Sequence, residues 1–189
     1  TPLKIGYAAD FSDLGGFADK PASQAALYFV ELVNCAGGVD GSPIKLIIKN
    51  IEGNPEVTQR VGHELMAAGV SAMLGPPFPD FGEPLLQVTA GKVATLFVAS
   101  TEPMLANSKA LSYLVAFDDT AQATAAAKFA LQQGWRTAVT FSAPGPYFGY
   151  NPKIFSKVFK AGGGSITADY NFVPIDDMDF STQANKMAS

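Results

Sequence analysis

The sequence is poor in residues that bind metals or act as nucleophiles. Its 189 residues include one cysteine, Cys35, one histidine, His63, and one tryptophan. A single cysteine excludes an internal disulfide, and Cys35 with His63 is too small a set for a zinc centre. Because Cys35 ends an apolar helical pattern, we interpret it as a packing or surface thiol. We therefore expect no metal site.

Clustered positive charge and long apolar runs are also missing. The chain has 13 basic and 17 acidic residues, a formal net charge of −4, and its basic residues are scattered singly. A phosphate backbone requires clustered Lys and Arg, so we expect no nucleic-acid partner. No stretch approaches the roughly 18 consecutive apolar residues of a membrane span. We expect a chain that is either cytosolic or mature with its leader removed.

The motifs of nucleotide-dependent and hydrolytic enzymes are not found either. No glycine-rich phosphate loop and no Gly-x-Ser-x-Gly elbow occur, and Gly15-Gly16 lacks the third glycine of a dinucleotide fingerprint. Bulky residues over 11–14 occupy the turn where a pyrophosphate needs close backbone approach. We therefore expect a protein that is not an enzyme, with no catalytic residue and no cofactor.

What the sequence does contain is a regular alternation of apolar strands and amphipathic helices. A hydrophobic content of 48% with 16% charged residues supports a folded core. Alternating elements imply parallel strands joined by helical crossovers, so we predict an α/β fold of parallel sheets with helices on both faces. The predicted strands cover 3–9, 44–51, 70–74, 94–99, 113–117, 137–142 and 166–173, and the predicted helices 18–35, 55–69, 84–92, 118–133 and 152–161.

Local signals mark where helices start and stop. Asn54-Pro55-Glu56 combines an N-cap residue, proline at the first helical position and an acid in the first turn. A new capped helix at Asp118 follows a Ser/Pro-rich loop and a short strand, which predicts a first lobe over 1–117 and the beginning of a second over 118–189. A last helix start at Asp179 or Ser181 has no strand after it. We favour a fragment of a longer chain over a frayed terminal helix.

Aromatic residues and prolines collect at the carboxyl ends of the predicted strands. Ligands bind at this edge in open α/β sheets, and stiff aromatic loops suit a preformed apolar pocket with few polar anchors. The alternative is that these rings only cover the ends of the sheet. The candidate ligand-binding residues are Phe17 after the first strand, Phe78, Pro79 and Asp80 after the third, Ala99, Ser100 and Thr101 after the fourth, and Tyr147 and Phe148 after the sixth.

Two loops are candidates for holding a ligand's negative charge. Ser100 and Thr101 lead into Glu102-Pro103-Met104, where we expect free N–H groups to complete a carboxylate cradle. The alternative is a turn whose hydroxyls are satisfied internally. The loop over 76–83 is less suited, because its prolines donate nothing and Asp80 with Glu83 fits a helix-capping pair. The alternative for Asp80 is that it meets a positively charged group of a ligand.

The order of segments resembles a known family. The residues over 34–41, Asn-Cys-Ala-Gly-Gly-Val-Asp-Gly, resemble the family pattern N-x-x-GG-[IV]-x-G. Leu74-Gly75-Pro76 resembles its third strand end, and Asp179-Phe180-Ser181 its D-F-S/T helix start. In these stretches the chain resembles the Leu/Ile/Val-binding protein family of ABC-importer receptors, which has the type I periplasmic-binding fold.

The resemblance implies two lobes hinged by crossing strands, of which this chain covers the first and the start of the second. It implies a periplasmic or otherwise extracytoplasmic protein that captures a small amino acid or an aromatic or aliphatic carboxylate and delivers it to the membrane permease of an ABC importer. A sensor or receptor ligand-binding domain is the alternative. Pro79 stands where the family has a serine, which favours ligands without an α-amino group. Phe148, with Tyr147 beside it, matches a family aromatic.

Overall fold

The computed structural model describes residues 1–144, 146–173 and 179–188, and the side chains of all of these except Pro146, Tyr147, Met187 and Ala188. The chain divides into two compact units, Thr1–Ala116 and Phe117–Ser189. Among the described residues, no helix has both the length and the apolar character needed to cross a bilayer.

The first unit is built on a five-stranded sheet in the order β2-β1-β3-β4-β5. Every neighbouring pair is parallel, as the alternation of elements predicts, and β1 pairs with β2 from Leu3 opposite Ile44 to Ala9 opposite Asn50. Its elements are β1 Leu3–Ala9, α1 Gly16–Cys35, β2 Ile44–Asn50, α2 Pro55–Ala67, β3 Ala72–Leu74, α3 Pro79–Thr89, β4 Ala94–Phe97, two short 3-10 helices Pro103–Leu105 and Ser108–Ala110, and β5 Ser112–Leu114.

The start of α2 confirms the predicted capping. The Asn54 side chain accepts hydrogen bonds from the N–H groups of Glu56 (2.8 Å) and Val57 (3.1 Å), and Pro55 occupies the first helical position. These bonds satisfy two of the N–H donors that a helix start leaves without partners.

The core of the first unit lies where α2 and α3 pack on the sheet. It contains Ala8, Leu65, Met73, Phe81 and Leu85, all at most 3% exposed. On α1, by contrast, the Phe29 side chain is 65% exposed.

The described residues of the second unit form a two-stranded parallel sheet and three helices. Its helix α4 begins as predicted, because the Asp118 side chain accepts a hydrogen bond from the N–H of Ala121 (2.8 Å). Ala127, Ala130 and Phe159 form its buried core between α4 and α5. The elements are α4 Asp119–Gln132, β6 Thr137–Ser142, α5 Pro146–Ala161, β7 Ser165–Asn171 and α6 Ser181–Ala188.

Two helices begin earlier than their sequences predict. Helix α3 starts at Pro79 rather than Pro84, and α5 at Pro146 rather than Pro152. In both, the first proline supplies the fixed φ of a helix start, while the second stands inside the helix. Residues that were expected in loops therefore lie in the first turns of helices.

Candidate ligand-binding site

The sheet order brings three of the candidate loops to one edge of the first unit. Strands β1, β3 and β4 are consecutive neighbours, so their carboxyl ends lie side by side. Phe17, in the first turn of α1, meets Phe78, just before α3, with ring centroids 6.3 Å apart and planes inclined by 52°. Phe17 is 73% exposed, whereas Phe78 is half-buried against the core. The loops after β1 and β3 therefore share an exposed aromatic surface.

The residues after β4 supply a polar group at the same edge. Ser100 is 1% exposed, and its Oγ has no hydrogen-bond partner among the described residues. Ala99 is exposed and Thr101 is half-buried. A buried hydroxyl without a partner costs about 1–3 kcal/mol, which a ligand atom that hydrogen-bonds to it would recover.

The expected backbone part of the anion cradle is wrong. Pro103 has no N–H, the N–H of Met104 donates to the Glu102 side chain (3.2 Å), and that of Leu105 donates to the Glu102 carbonyl (3.1 Å). Glu102 itself is 2% exposed. Because the turn satisfies its own donors, the N–H groups of Met104 and Leu105 are not available to a ligand.

The predicted capping role of Asp80 is also wrong. Helix α3 begins at Pro79, so the cap position falls on Phe78, which makes no side-chain capping bond. Pro79 is buried, and Asp80 lies exposed in the first turn. Asp80 is therefore a surface carboxylate that lies two residues after Phe78, one member of the aromatic pair.

The second unit holds the remaining candidates. Phe148 lies in the first turn of α5, and its ring packs edge-on against Phe172 at the end of β7, with centroids 5.7 Å apart. The Tyr147 side chain lies outside the described residues.

A buried network that sequence reasoning missed lies under the loop after β1. The Tyr7 hydroxyl donates to Asp19 Oδ1 and the Asp10 N–H donates to Asp19 Oδ2, each at 2.6 Å. Asp10 and Asp19 are 0% and 1% exposed. Burial raises the pKa of Asp19 above its ordinary range, the two hydrogen bonds lower it, and the nearby Asp10 carboxylate raises it. Burial, with Asp19 as hydrogen-bond acceptor, also raises the pKa of Tyr7. The only signal in the sequence was that Asp10 directly follows a buried strand.

Further bonds fix the same loop. The Phe11 N–H donates to Asn50 Oδ1 (3.0 Å), which ties the end of β1 to the end of β2, and the Ser12 N–H donates to Asp10 Oδ1 (2.9 Å). A Cβ at Gly15 would overlap the Asp10 carboxylate. The loop after β1, which leads to Phe17, is therefore fixed by hydrogen bonds within the protein.

The chemistry available at this edge is that of binding. Among the described residues, no group of three or more His, Cys, Asp or Glu side chains is placed to hold a metal ion. The groups at this edge include aromatic faces, a buried hydroxyl and exposed carboxylates such as Asp80. These suit a small molecule with an apolar body and polar ends.

Solved structures show the same fold. LivJ, the branched-chain amino acid transporter substrate-binding protein from Streptococcus pneumoniae in complex with isoleucine, is 22% identical with a TM-score of 0.84, and the match covers 100% of this chain and 54% of LivJ. A solute-binding protein from Rhodopseudomonas palustris BisB5 in complex with 3,4-dihydroxybenzoic acid is 19% identical (TM-score 0.80; 98% and 51% covered). Another from R. palustris, in complex with benzoate, is 20% identical (TM-score 0.78; 100% and 52% covered). The chain spans about half the length of each. Comparison with curated proteins gives no match.

The fold is therefore that of the first half of type I periplasmic-binding proteins, the fold of substrate-binding proteins of ABC transporters. A family model described as periplasmic binding protein matches residues 2–189, and the chain belongs to that family. This confirms the resemblance seen in the sequence. The family is a group of binding proteins and not of enzymes.

Proposed function

We propose that this chain is part of an extracytoplasmic solute-binding protein of an ABC importer, and that it captures a small amino acid or an aromatic or aliphatic carboxylate. One observation carries the proposal: the exposed Phe17–Phe78 pair and the buried Ser100 hydroxyl lie at the ends of neighbouring strands. An apolar face beside a desolvated hydrogen-bonding group matches a ligand with an apolar body and a carboxylate.

The proposed site in the first unit is formed by Phe17, Phe78, Ser100 and Thr101. Excluding water from a site strengthens binding, because it increases both apolar burial and electrostatic attraction. We therefore infer that the 189-residue chain alone binds weakly and that the complete pocket requires the length of the matched structures.

Asp80 and its neighbour Pro79 bear on whether the ligand is an amino acid or an acid without an amino group. Its exposed carboxylate forms no ion pair among the described residues and would attract an α-ammonium group. Pro79 beside it offers neither a hydroxyl nor an N–H, which favours an acid without an amino group. The bound ligands of the similar structures include an amino acid, isoleucine, and the aromatic acids benzoate and 3,4-dihydroxybenzoic acid.

The experiment is a calorimetric titration of the protein, expressed at the full length of its gene, with isoleucine, leucine, benzoate and 3,4-dihydroxybenzoate. Native mass spectrometry of co-purified ligand guides the choice of further compounds. We expect micromolar or tighter binding by at least one carboxylate and at least tenfold weaker binding by the 189-residue chain. Failure of all carboxylates to bind the full-length protein contradicts the proposal.

The variant Asp80→Asn assigns the ligand class. If the ligand is an amino acid, we expect at least tenfold weaker binding, whereas the affinity for a simple acid should stay the same or rise. Glu83→Gln, an exposed carboxylate on the same helix, is the matched control. The transport role is checked separately by the presence of permease and ATPase genes beside the coding gene.

A further inference from the structure

A cavity of about 620 Å³ in the second unit is lined by three lysines. Lys153, Lys157 and Lys160 lie on α5 at intervals of four and three residues, and all three line the cavity. This spacing places them along one helix face. They account for three of the 13 basic residues of a chain whose net charge is −4.

None of the three ammonium groups forms an ion pair with a described carboxylate. The salt bridges of the described residues join Lys49 and Arg60 to Glu64, all in the first unit. All three lysine side chains are exposed, and the face of α5 that carries them lines the cavity. Three positive charges therefore border a space large enough for a small molecule.

The opposite wall comes from β6 and β7 and contributes one carboxylate. Asp169 Oδ1 accepts hydrogen bonds from Thr140 Oγ1 (2.8 Å) and Ser142 Oγ (3.5 Å). Ser142 Oγ also donates to Asn171 Oδ1 (3.0 Å). The hydroxyl donors of this wall are thus directed at groups of the protein itself. The three lysines outweigh the single carboxylate, which leaves a local charge excess of two.

We propose that this cavity binds a phosphate monoester group, carried either by a soluble metabolite or by a lipid headgroup. Lysine ammonium groups are common phosphate ligands, acting as mobile point charges, and the charge excess matches a phosphate dianion. A phosphate dianion places both negative charges and three acceptor oxygens on one group, whereas a dicarboxylate divides its two charges between separate carboxylates. The cavity would thus distinguish a phosphate ester from a dicarboxylate.

The test is an NMR titration of the ¹⁵N-labelled chain with glycerol 3-phosphate, with succinate as the dicarboxylate comparison. We expect saturable shifts of amides in α5 and β7 with glycerol 3-phosphate and at least tenfold weaker binding of succinate. Vesicles of phosphatidylcholine with and without phosphatidic acid, in a flotation assay, test the lipid source. Binding of either phosphate ester supports the proposal. Binding of neither, or equal binding of succinate, overturns it.

A triple variant and its charge-matched control separate a site from general attraction. Lys153→Gln, Lys157→Gln and Lys160→Gln together should weaken phosphate-ester binding at least tenfold. The control replaces three exposed lysines outside the cavity, Lys45, Lys109 and Lys128, and should change the affinity less than twofold. An equal loss in both triple variants overturns the proposal. This result is independent of carboxylate capture, because neither triple variant changes a residue of the proposed ligand site.

Discussion

The ring of Phe17 lies 6.3 Å from that of Phe78, although the two residues belong to different crossovers of the sheet. One follows β1 and the other follows β3, and the two strands are neighbours. Because Phe17 is 73% exposed, this contact leaves most of one aromatic face open. An open aromatic face on a fixed loop is suited to stacking on an apolar ligand.

Replacing Phe17 therefore tests the ligand surface with little effect on the fold. We expect Phe17→Ala to weaken carboxylate binding by the full-length protein about tenfold, which corresponds to about 1.4 kcal/mol. The melting temperature should change by less than about 3 °C, because an exposed side chain contributes little to stability. Tyr28→Ala, an exposed aromatic farther along α1, should leave binding unchanged. Calorimetry and thermal denaturation measure both effects, and unchanged binding in Phe17→Ala would count against the aromatic surface.

A substitution at Ser100 should affect ligand affinity and stability in different ways. Ser100→Ala removes a buried hydroxyl that has no partner among the described residues, so we expect the free energy of unfolding to stay the same or rise. Carboxylate affinity should fall about ten- to a hundredfold, because a hydrogen bond to a charged group contributes about 1.5–3 kcal/mol. The matched control is Ser112→Ala, since Ser112 is equally buried but donates to the Leu105 carbonyl and should lose stability instead. A variant Ser100→Ala that loses stability but retains affinity contradicts the assignment.

The buried Tyr7–Asp19 contact predicts a pH dependence with a definite sign. Burial raises the pKa of Asp19 above its ordinary value near 3.8, so the folded state binds this proton more tightly than the unfolded state. The contribution of Asp19 to stability therefore falls as the pH rises from the ordinary pKa to the raised pKa. Above the raised pKa, this contribution no longer changes with pH. The Tyr7 hydrogen bond opposes the shift, so Tyr7→Phe should raise the pKa of Asp19 further. A ¹³C NMR titration of the Asp19 carboxyl measures this. Tyr28→Phe is the control, and a lowered pKa in Tyr7→Phe would refute the prediction.

The Asn54 cap predicts a local stability effect. Asn54→Ala removes the side-chain oxygen that accepts from two N–H groups at the start of α2, which should cost about 1 kcal/mol. Asn54→Asp keeps an acceptor and should retain most of the stability. Urea denaturation followed by circular dichroism compares the variants. Equal losses in the alanine and aspartate variants would show that the cap is not the cause.

The parts of the fold that the sequence predicts well depend on short-range chemistry. The Asn54 cap, the Asp118 cap and the strand Leu3–Ala9 all agree with the structure, because each is determined by neighbouring residues. The sequence predicts later starts for α3 and α5 than the structure shows, because each helix contains two prolines and either one is compatible with a helix start. Proline chemistry allows both positions, and tertiary packing of Phe81 and Leu85 favours the longer α3.

The sequence predicts which loops form the candidate site, but it does not predict most of the contacts between their residues. The rule that ligands bind at strand ends placed Phe17 and Phe78 on one edge, and the structure brings them into contact. The Tyr7–Asp19–Asp10 network depends on distances between segments, which the sequence does not specify. The sequence does not show that the Glu102 side chain turns back to accept the Met104 N–H, which the expected anion cradle required to be free.

The two-stranded sheet of the second unit has a practical consequence for handling the protein. Among the described residues β6 pairs with β7 alone, so the other edge of Thr137–Ser142 presents backbone donors and acceptors in an extended segment rich in β-branched and aromatic residues. Such edges template pairing with other chains. The 189-residue chain should therefore aggregate at high concentration, and dilute samples examined by light scattering are the proper starting point for every titration above.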